Sequence, residues 1–471
     1  MAKIYIDPIT RIEGHLKLEV TVDDSNLVTD SKLSGTLFRD FENLLVSRPP
    51  KDAVFITQRI CGVCPVPHAV ASVKSIENSA NYIPNLQALM LRNIIQGSNF
   101  IDSNILHFYH LSIMDYIDGP ELSPWRSSYS MDLRFSKTET QSLINNYLTA
   151  LKIRRIAHEL SANIAGRLPH VASITPGGVT SKPTSTDINN MKTRLNEIKG
   201  FVEDTYHNDV NLLIDRYNDY YSIGKGYENL ISFGVFDEDR SGTQLFPAGT
   251  YSNGLKRSFS ELSINEDVDY SYYSSQTGLH PSDGLTAPSY NKSGAYTWLK
   301  SPRYNNVPYE AGPLARLMIS GDYSNGVSVI DRHYARYLET LKIINSMDTW
   351  INQLSVDANA YENIGTITSG SGVGLTEAPR GALGHWLTTS NSQISNYQII
   401  TPTCWNASPK DNSGNFGPME NALIGTFVED ITKPIELMRI VHSFDPCTGC
   451  SVHLISKEGE ELSDFVVELG I

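Results

Sequence analysis

Four of the five cysteines in this chain of 471 residues fall in two C-x-x-C units near opposite ends. The first reads Arg59-Ile60-Cys61-Gly62-Val63-Cys64, the second Asp445-Pro446-Cys447-Thr448-Gly449-Cys450-Ser451-Val452-His453. Two intervening residues let both sulfurs of a unit turn toward one metal, and thiolates favour zinc, copper(I), iron and nickel. If the two units share a metal, the fold must bring together ends separated by 383 positions, from Cys64 to Cys447. Two plainer readings stand beside this one. Four thiolates can hold a structural zinc ion, or each unit can form a redox disulfide. Structural zinc pairs usually lie within a few tens of residues, because each stabilises a small local fold. The chain also carries groups that a zinc clip does not need, among them Glu13, Arg380 and Asp445. An active centre that ties the ends together fits the pattern better.

Composition narrows the function classes. Hydrophobic residues make up 40% and charged residues 19%, ordinary values for a chain with a large core. A formal net charge of -14 argues against non-specific nucleic-acid binding, which relies on basic patches. Five cysteines in this length do not make a disulfide scaffold. Met1 runs straight into Lys3-Ile4-Tyr5-Ile6-Asp7 with no charged-then-apolar leader, and no apolar run reaches the roughly 18 residues of a membrane helix. The expectation is a chain made in the cytoplasm without a signal of its own. It stays cytoplasmic, or reaches a membrane only through partner subunits.

Periodicity predicts an α+β fold, mainly helical, with long central helices and small peripheral sheets or hairpins. Residues 3–7 and 16–23 read as strands. Helical spacing marks 69–80, 84–116, 138–166, 184–221 and 327–356, and two last helices over 417–431 and 434–443. Residues 363–403 read as strands and hairpins, with Glu377-Ala378-Pro379-Arg380-Gly381 on a loop inside them. Residues 238–310 turn rich in serine, tyrosine, glycine and asparagine and predict short strands and loops. The expected organisation is one interlocked unit. Its parts are 1–83 with the first cysteine pair, a helical core over 84–237, a loop-rich insertion over 238–326, a helix and hairpins over 327–443, the second pair at 444–453, and a tail over 454–471.

The residues around the cysteines carry a resemblance. Arg-Ile-Cys-Gly-Val-Cys and Asp-Pro-Cys-x-x-Cys-x-x-His are similar to the two signatures of the large, catalytic subunit of nickel-iron hydrogenases. Further blocks follow in family order: Asp7 to His15, Gly35 to Arg39, His107-Phe108-Tyr109, Pro176 to Val179, and Glu377 to Trp386. The resemblance spans nearly the whole chain. It implies nickel held by Cys61, Cys64, Cys447 and Cys450, with Cys64 and Cys450 bridging to an iron that carries carbon monoxide and cyanide. It implies a fold like that subunit's and reversible heterolytic cleavage of H2, with electrons passed to an iron–sulfur small subunit. Only Cys404 is left over in this chain, too few for a cluster of its own.

The resemblance also implies individual roles. Glu13 carries protons away from a terminal cysteine, Arg380 stands above the open metal position, Asp445 orients Arg380, and His68 lies near the sulfurs. Glu42, the main-chain carbonyl around Ile399 and His453 bind a magnesium ion. A protease removes the tail between His453 and Leu454 once insertion chaperones have delivered nickel and iron. Read alone, Glu13, Glu42 and Arg380 are ordinary surface or ion-paired charges, His68 a satisfied structural histidine, and Cys404 a small buried residue. Pro65 departs from the threonine frequent there. The family aspartate expected four positions before His107 is Ser103 here, and Asp102 is turned about 100° from it, so Asp102 is expected to be an ordinary helix charge. Two alternatives remain: an H2-sensing subunit with the same centre, which the tail disfavours, and a zinc-stabilised structural subunit of a redox complex. The matching subunit of the respiratory NADH:quinone oxidoreductase shares the fold but lacks both cysteine pairs.

Overall fold

The computed structural model describes residues 2–120 and 132–448. Strands Ala2–Ile6, Leu16–Val22 and Val28–Gly35 form an antiparallel sheet. Along the middle strand Leu16, Leu18, Val20 and Val22 are buried and their neighbours only partly so, the period-2 pattern of a sheet with one face on the core. The helix Pro65–Ser79 begins at once after Cys64, four residues ahead of the expected start. Proline suits the first turn of a helix, where the amide it lacks would have no partner.

The spine of the molecule is Leu86–Leu106, capped by the Asn85 side chain, which accepts from the Ala88 amide. Every residue from Ala88 to Ile105 is buried. A helix covered on all sides needs partners for its polar groups, and most of its long polar side chains find them. Arg92 meets Glu77 at 2.6 Å. Gln96 donates to the Glu377 carbonyl at 3.0 Å, Asn99 to the Val63 carbonyl at 2.8 Å and Asn104 to Glu339 at 3.0 Å. One helix thus grips both the first cysteine loop and the strand ahead of Arg380. Asp102 is buried too, 2.9 Å from Arg154 and 3.2 Å from His158, so it is an interior ion-paired carboxylate rather than an ordinary helix charge. The helix expected over 84–116 continues past Leu106 as a wider π turn, His107–Ser112, and a tight turn, Ile113–Asp115.

Lys137–Ala165 starts at a capping box formed by Ser136 and Glu139, close to the expected 138–166. The stretch read as one helix over 184–221 divides into Ser185–Gly200, a π turn at Phe201–Tyr206 and His207–Arg216. Val329–Gln353 crosses the spine so closely that a methyl group on Gly97 would lie 2.8 Å from the Met347 sulfur.

Two readings are corrected. Leu230–Asp237, within the expected helical core, is a strand paired with Gln244–Ser252. Seven of its eight residues are buried, so it shows no alternation by which to recognise it. Residues 417–431 hold a helix only over Pro418–Leu423. There Gly425 takes φ +77° and its amide donates to the Val28 carbonyl, while the Val28 amide donates to Thr426. Those hydrogen bonds fasten the C-terminal segment to the N-terminal sheet in place of further helix.

Strands Gly370–Ala378, Gly381–Ser390 and Gln393–Ile400 form an antiparallel meander. Ala378 pairs with Gly381, so Pro379 and Arg380 are the two residues of a tight hairpin turn. The meander lies against the helix Pro65–Ser79. A methyl group on Gly374 would fall 1.9 Å from the Ala71 carbonyl oxygen, so backbone meets backbone there. Ile435–Ser443 is the last described helix and leads into Asp445-Pro446-Cys447.

Candidate metal centre

The sulfurs of Cys61, Cys64 and Cys447 lie within 4.8 Å of one another, all buried. Cys61 Sγ and Cys447 Sγ are 3.4 Å apart, and neither cysteine is in a disulfide. Cys450 and His453 fall outside the described residues, as does the expected cleavage point between His453 and Leu454.

Local structure places hydrogen-bond donors and a helix N-terminus at the first cysteine pair and fixes the backbone of the second. The amides of Val63 and Cys64 point at Cys61 Sγ, at 3.3 and 3.1 Å. Cys64 is the N-cap of the helix Pro65–Ser79, where the helix dipole favours negative charge. Arg39 donates to the carbonyls of Arg59 and Ile60 and so fixes the backbone ahead of Cys61. The Cys447 amide donates to Thr403 Oγ1 at 2.9 Å. Residue 447 forms a bridge with Glu13, and the Thr448 amide donates to the Glu13 carbonyl at 2.7 Å. The two chain ends therefore touch at the sulfurs themselves.

Upstream, the second pair is anchored by buried polar contacts. His442 has Nδ1 2.6 Å from Asp115 Oδ2 and Nε2 2.9 Å from the Thr10 carbonyl. Burial alone would raise the Asp115 carboxyl, but Arg11 and His442 hold it well below the usual carboxylate range. Arg336 donates to the Ser443 carbonyl at 2.8 Å. Asp445 sits at φ +58°, a left-handed conformation uncommon outside glycine, at the turn that aims Cys447 inward.

Arg380 is buried, with Nε 3.1 Å from Asp445 Oδ1. The pair is close enough for ionic attraction but not aligned as a hydrogen bond, so none of the three guanidinium nitrogens has an acceptor among the described residues. Burial works against the charged form. Asp445 and the three sulfurs outweigh it and hold the guanidinium well above its ordinary value. A buried cation beside three sulfurs, its donors unspent among the described residues, is what a centre needs if charge develops there.

Glu13 is the adjacent carboxylate; a methyl group on Gly62 would lie 3.7 Å from its Oε1. Burial first, and then the Cys61 thiolate, raise its pKa, against the pull of Arg380, the Gly62 amide and Arg39. His68 is buried, and its Nδ1 stands 3.2 Å from His385 Nε2. His385 Nδ1 is 2.8 Å from the Tyr397 hydroxyl. Burial pushes His68 down to about 4, so it is a neutral ring at neutral pH.

Glu42 is some way along the same wall. Its Oε1 accepts from the Ile399 amide at 2.9 Å, and Thr286 donates to Oε2. Both residues line an interior cavity of about 60 Å³ with Glu266, Lys300 and Cys404. Cys404 is half-buried, 3.2 Å from Thr401 Oγ1, and stands outside the thiol cluster.

Sequence reasoning missed Thr403 and Arg316. Arg316 sits in the otherwise almost apolar helix Pro313–Ser320, which was the available signal. The cysteine geometry alone defines a chain in which segments from near its two ends meet at a buried cluster of three sulfurs able to hold a metal ion.

The comparisons agree with that geometry. A family model described as Nickel-dependent hydrogenase matches residues 39–123, 119–326 and 319–453, and one described as HoxL-like matches 3–36. The periplasmic [NiFeSe] hydrogenase large subunit of Desulfomicrobium baculatum is 40% identical over 98% of this chain and 96% of its own length. The quinone-reactive Ni/Fe-hydrogenase large chain of Wolinella succinogenes is 30% identical over 99% and 98%. The solved [NiFeSe] hydrogenase of Dm. baculatum superposes with a TM-score of 0.93 at 40% identity, covering 96% of this chain and 100% of that one. The Ni-Fe-Se hydrogenase of D. vulgaris Hildenborough gives 0.93 at 37%, over 96% and 100%.

This chain belongs to the nickel-dependent hydrogenase family, and it is a large, catalytic subunit of that family. Its mainly helical fold with small sheets is the fold of those subunits. The relatives are hydrogenase large subunits, which favours the catalytic reading over a sensor or a zinc-held structural subunit. They overturn the cytoplasmic expectation, since the 40% identical relative is periplasmic by name. The residues that follow Met1 were the wrong guide to where the chain works. Among the described residues no helix is long and apolar enough to cross a membrane.

Proposed function

We infer that Cys61, Cys64, Cys447 and Cys450 hold nickel, with Cys64 and Cys450 shared with an iron that bears carbon monoxide and cyanide. The observation that carries this reading is the convergence of three buried sulfurs from the two ends of the chain, beside an arginine whose donors are unspent. Bound there, the metal pair would supply the site at which H2 is split heterolytically. The D. baculatum and D. vulgaris relatives are named [NiFeSe] enzymes, whereas this sequence has cysteine at all four positions, so its ligand set is sulfur throughout.

The chain's own residues then do three things. Arg380 offers a fixed positive charge over the sulfurs, where it stabilises negative charge during cleavage. Asp445 holds that guanidinium in place. Glu13 takes the proton from the Cys447 or Cys61 side and passes it outward, with burial and the Cys61 sulfur raising its proton affinity. His68 packs the sulfurs with a neutral ring. Glu42, the Ile399 carbonyl and His453 are the groups that would bind magnesium, and the carboxylates of Glu42 and Glu266 at one cavity support that reading.

Electrons leave to an iron–sulfur small subunit, as expected of a chain with only Cys404 left over, too few for a cluster. The complex works in the periplasm, as the D. baculatum relative does by name; the W. succinogenes relative is quinone-reactive by name, which supports a membrane link through a partner subunit. The family match ends at residue 453, which supports cleavage after His453 by a maturation protease. The deciding experiment is infrared spectroscopy of the purified complex alongside metal analysis. Iron-bound carbonyl and cyanide stretches with one nickel per chain are expected; zinc without nickel would overturn the reading.

A further inference from the structure

Arg316 is fully buried, and all its donors are used. Nε donates to Glu339 Oε1 at 2.6 Å and Nη1 to Glu377 Oε2 at 2.6 Å. Nη2 donates to Glu339 Oε2 at 3.0 Å. The remaining two N–H groups go to the backbone: Nη1 to the Ala378 carbonyl at 3.1 Å and Nη2 to the Pro379 carbonyl at 2.7 Å. Those carbonyls belong to the two residues ahead of Arg380 in the hairpin turn. Both carboxylates are themselves anchored. Glu377 Oε1 accepts from the Phe233 amide at 2.6 Å, and Glu339 Oε2 from Asn104 of the central helix at 3.0 Å.

The far side of the turn is closed as well. Gly381 has φ +137°, and a methyl group there would lie 2.7 Å from the Ala311 Cβ and 2.9 Å from the Gly312 nitrogen. The turn is therefore held on two sides through its backbone, while the Arg380 side chain has no hydrogen-bond acceptor of its own among the described residues. Its ion pair with Asp445 at 3.1 Å orients the guanidinium from one side, and the backbone that carries it sets the rest of its position.

Energetics favour a positional role. Burying one guanidinium between two carboxylates costs desolvation that the mutual attraction barely offsets, and well-packed apolar residues commonly do as well for stability. Placement is different: a displacement of about 1 Å at a reacting group can cost on the order of 100-fold in rate. We propose that Arg316, braced by Glu339 and Glu377, is a positioning residue that sets the height and aim of Arg380 over the cysteine centre. This rests on the reading of that centre as the site of H2 cleavage.

The test uses the purified hydrogenase complex and Arg316→Lys. Lysine keeps the charge but cannot span two carboxylates and two carbonyls with one ammonium. Nickel content and the infrared bands should match the parent. Amide exchange in the peptide covering 376–384 should quicken at least about tenfold, a readout independent of turnover. H2-oxidation kcat should fall about 10- to 100-fold with KM for H2 little changed. The Arg316→Lys/Arg380→Lys double variant should be no slower than Arg380→Lys alone, because the first change acts only through the second. Losses that multiply in the double variant, or unchanged exchange in the hairpin, would overturn the proposal. If Arg316→Lys does not accumulate, Glu339→Gln removes one brace at constant shape and is carried through the same cycle with the same expectations. Wild-type complex lacking nickel would instead defeat the functional reading, while the exchange measurement would still decide whether Arg316 clamps the turn.

Discussion

Glu13 looks like any acidic residue in a list, and its environment alone makes it special. It shares a backbone bridge with Cys447, faces Gly62, and has its proton affinity raised by burial and by Cys61. Replacing it with glutamine keeps the shape and removes the exchangeable proton. Glu13→Gln is expected to retain nickel while H2 turnover falls by about 100-fold or more, the usual weight of a positioned acid–base group. Metal analysis beside an H2-uptake assay checks both halves; full turnover would mean the proton leaves by another route. Cys447→Ser is the complementary change. It removes a ligand whose sulfur lies 3.4 Å from that of Cys61, and nickel content should drop severely while the circular dichroism stays that of the folded chain.

The element that places the first cysteine pair is the helix Pro65–Ser79, and the strand Gly370–Ala378 sets where that helix lies. The two approach until their backbones touch at Gly374 and Ala71. Gly374→Ala puts a methyl group where a carbonyl oxygen already sits, so helix and strand must part. Overpacking of this kind costs about 1–3 kcal/mol and more where backbone has to move. The expected outcome is a lower melting temperature together with reduced nickel loading, because Cys64 is the cap of the displaced helix. Loss of stability with full nickel loading would show that the first pair is positioned independently of the meander. The same strand runs on to the turn that holds Arg380, so one sheet aligns the helix of Cys64 and the arginine above it.

At the scale of the whole molecule, distant parts are joined by buried polar groups, and Glu420 is the clearest. Its Oε1 accepts from the Leu33 amide of the N-terminal sheet at 2.9 Å and from the Tyr296 hydroxyl at 2.8 Å, while Oε2 has no partner among the described residues. Burial dominates those contacts and raises this carboxyl to about 8. A carboxyl whose folded pKa is raised binds its proton more tightly folded than unfolded. Its contribution is therefore complete below about 4.5 and is lost as pH climbs through about 8. Glu420→Gln carries no such proton. It should match the parent near pH 5 and exceed it near pH 8.5 by about 2 kcal/mol or more, seen as a higher melting temperature. Parallel pH curves for the two proteins would contradict a buried neutral carboxyl.

The sequence by itself determined the ligand type, the family blocks, the long helices and the need for the two ends to meet. Each of these is written in local spacing or in residue identity: C-x-x-C, capping residues, a 3.6-residue period. Tertiary structure alone decided how those pieces aim. Nothing in the sequence distinguishes the buried strand Leu230–Asp237 from a core helix, because burial on both faces erases alternation. Gly425 is a local stop just past Leu423, but the edge of the N-terminal sheet fixes where the chain goes next, by offering Val28 as a partner. Arg316 reads as one charge in an apolar helix until Glu339 and Glu377 fold around it. Side-chain chemistry is legible one residue at a time, whereas the position of a charge over a metal centre is a sum of contacts between segments hundreds of residues apart.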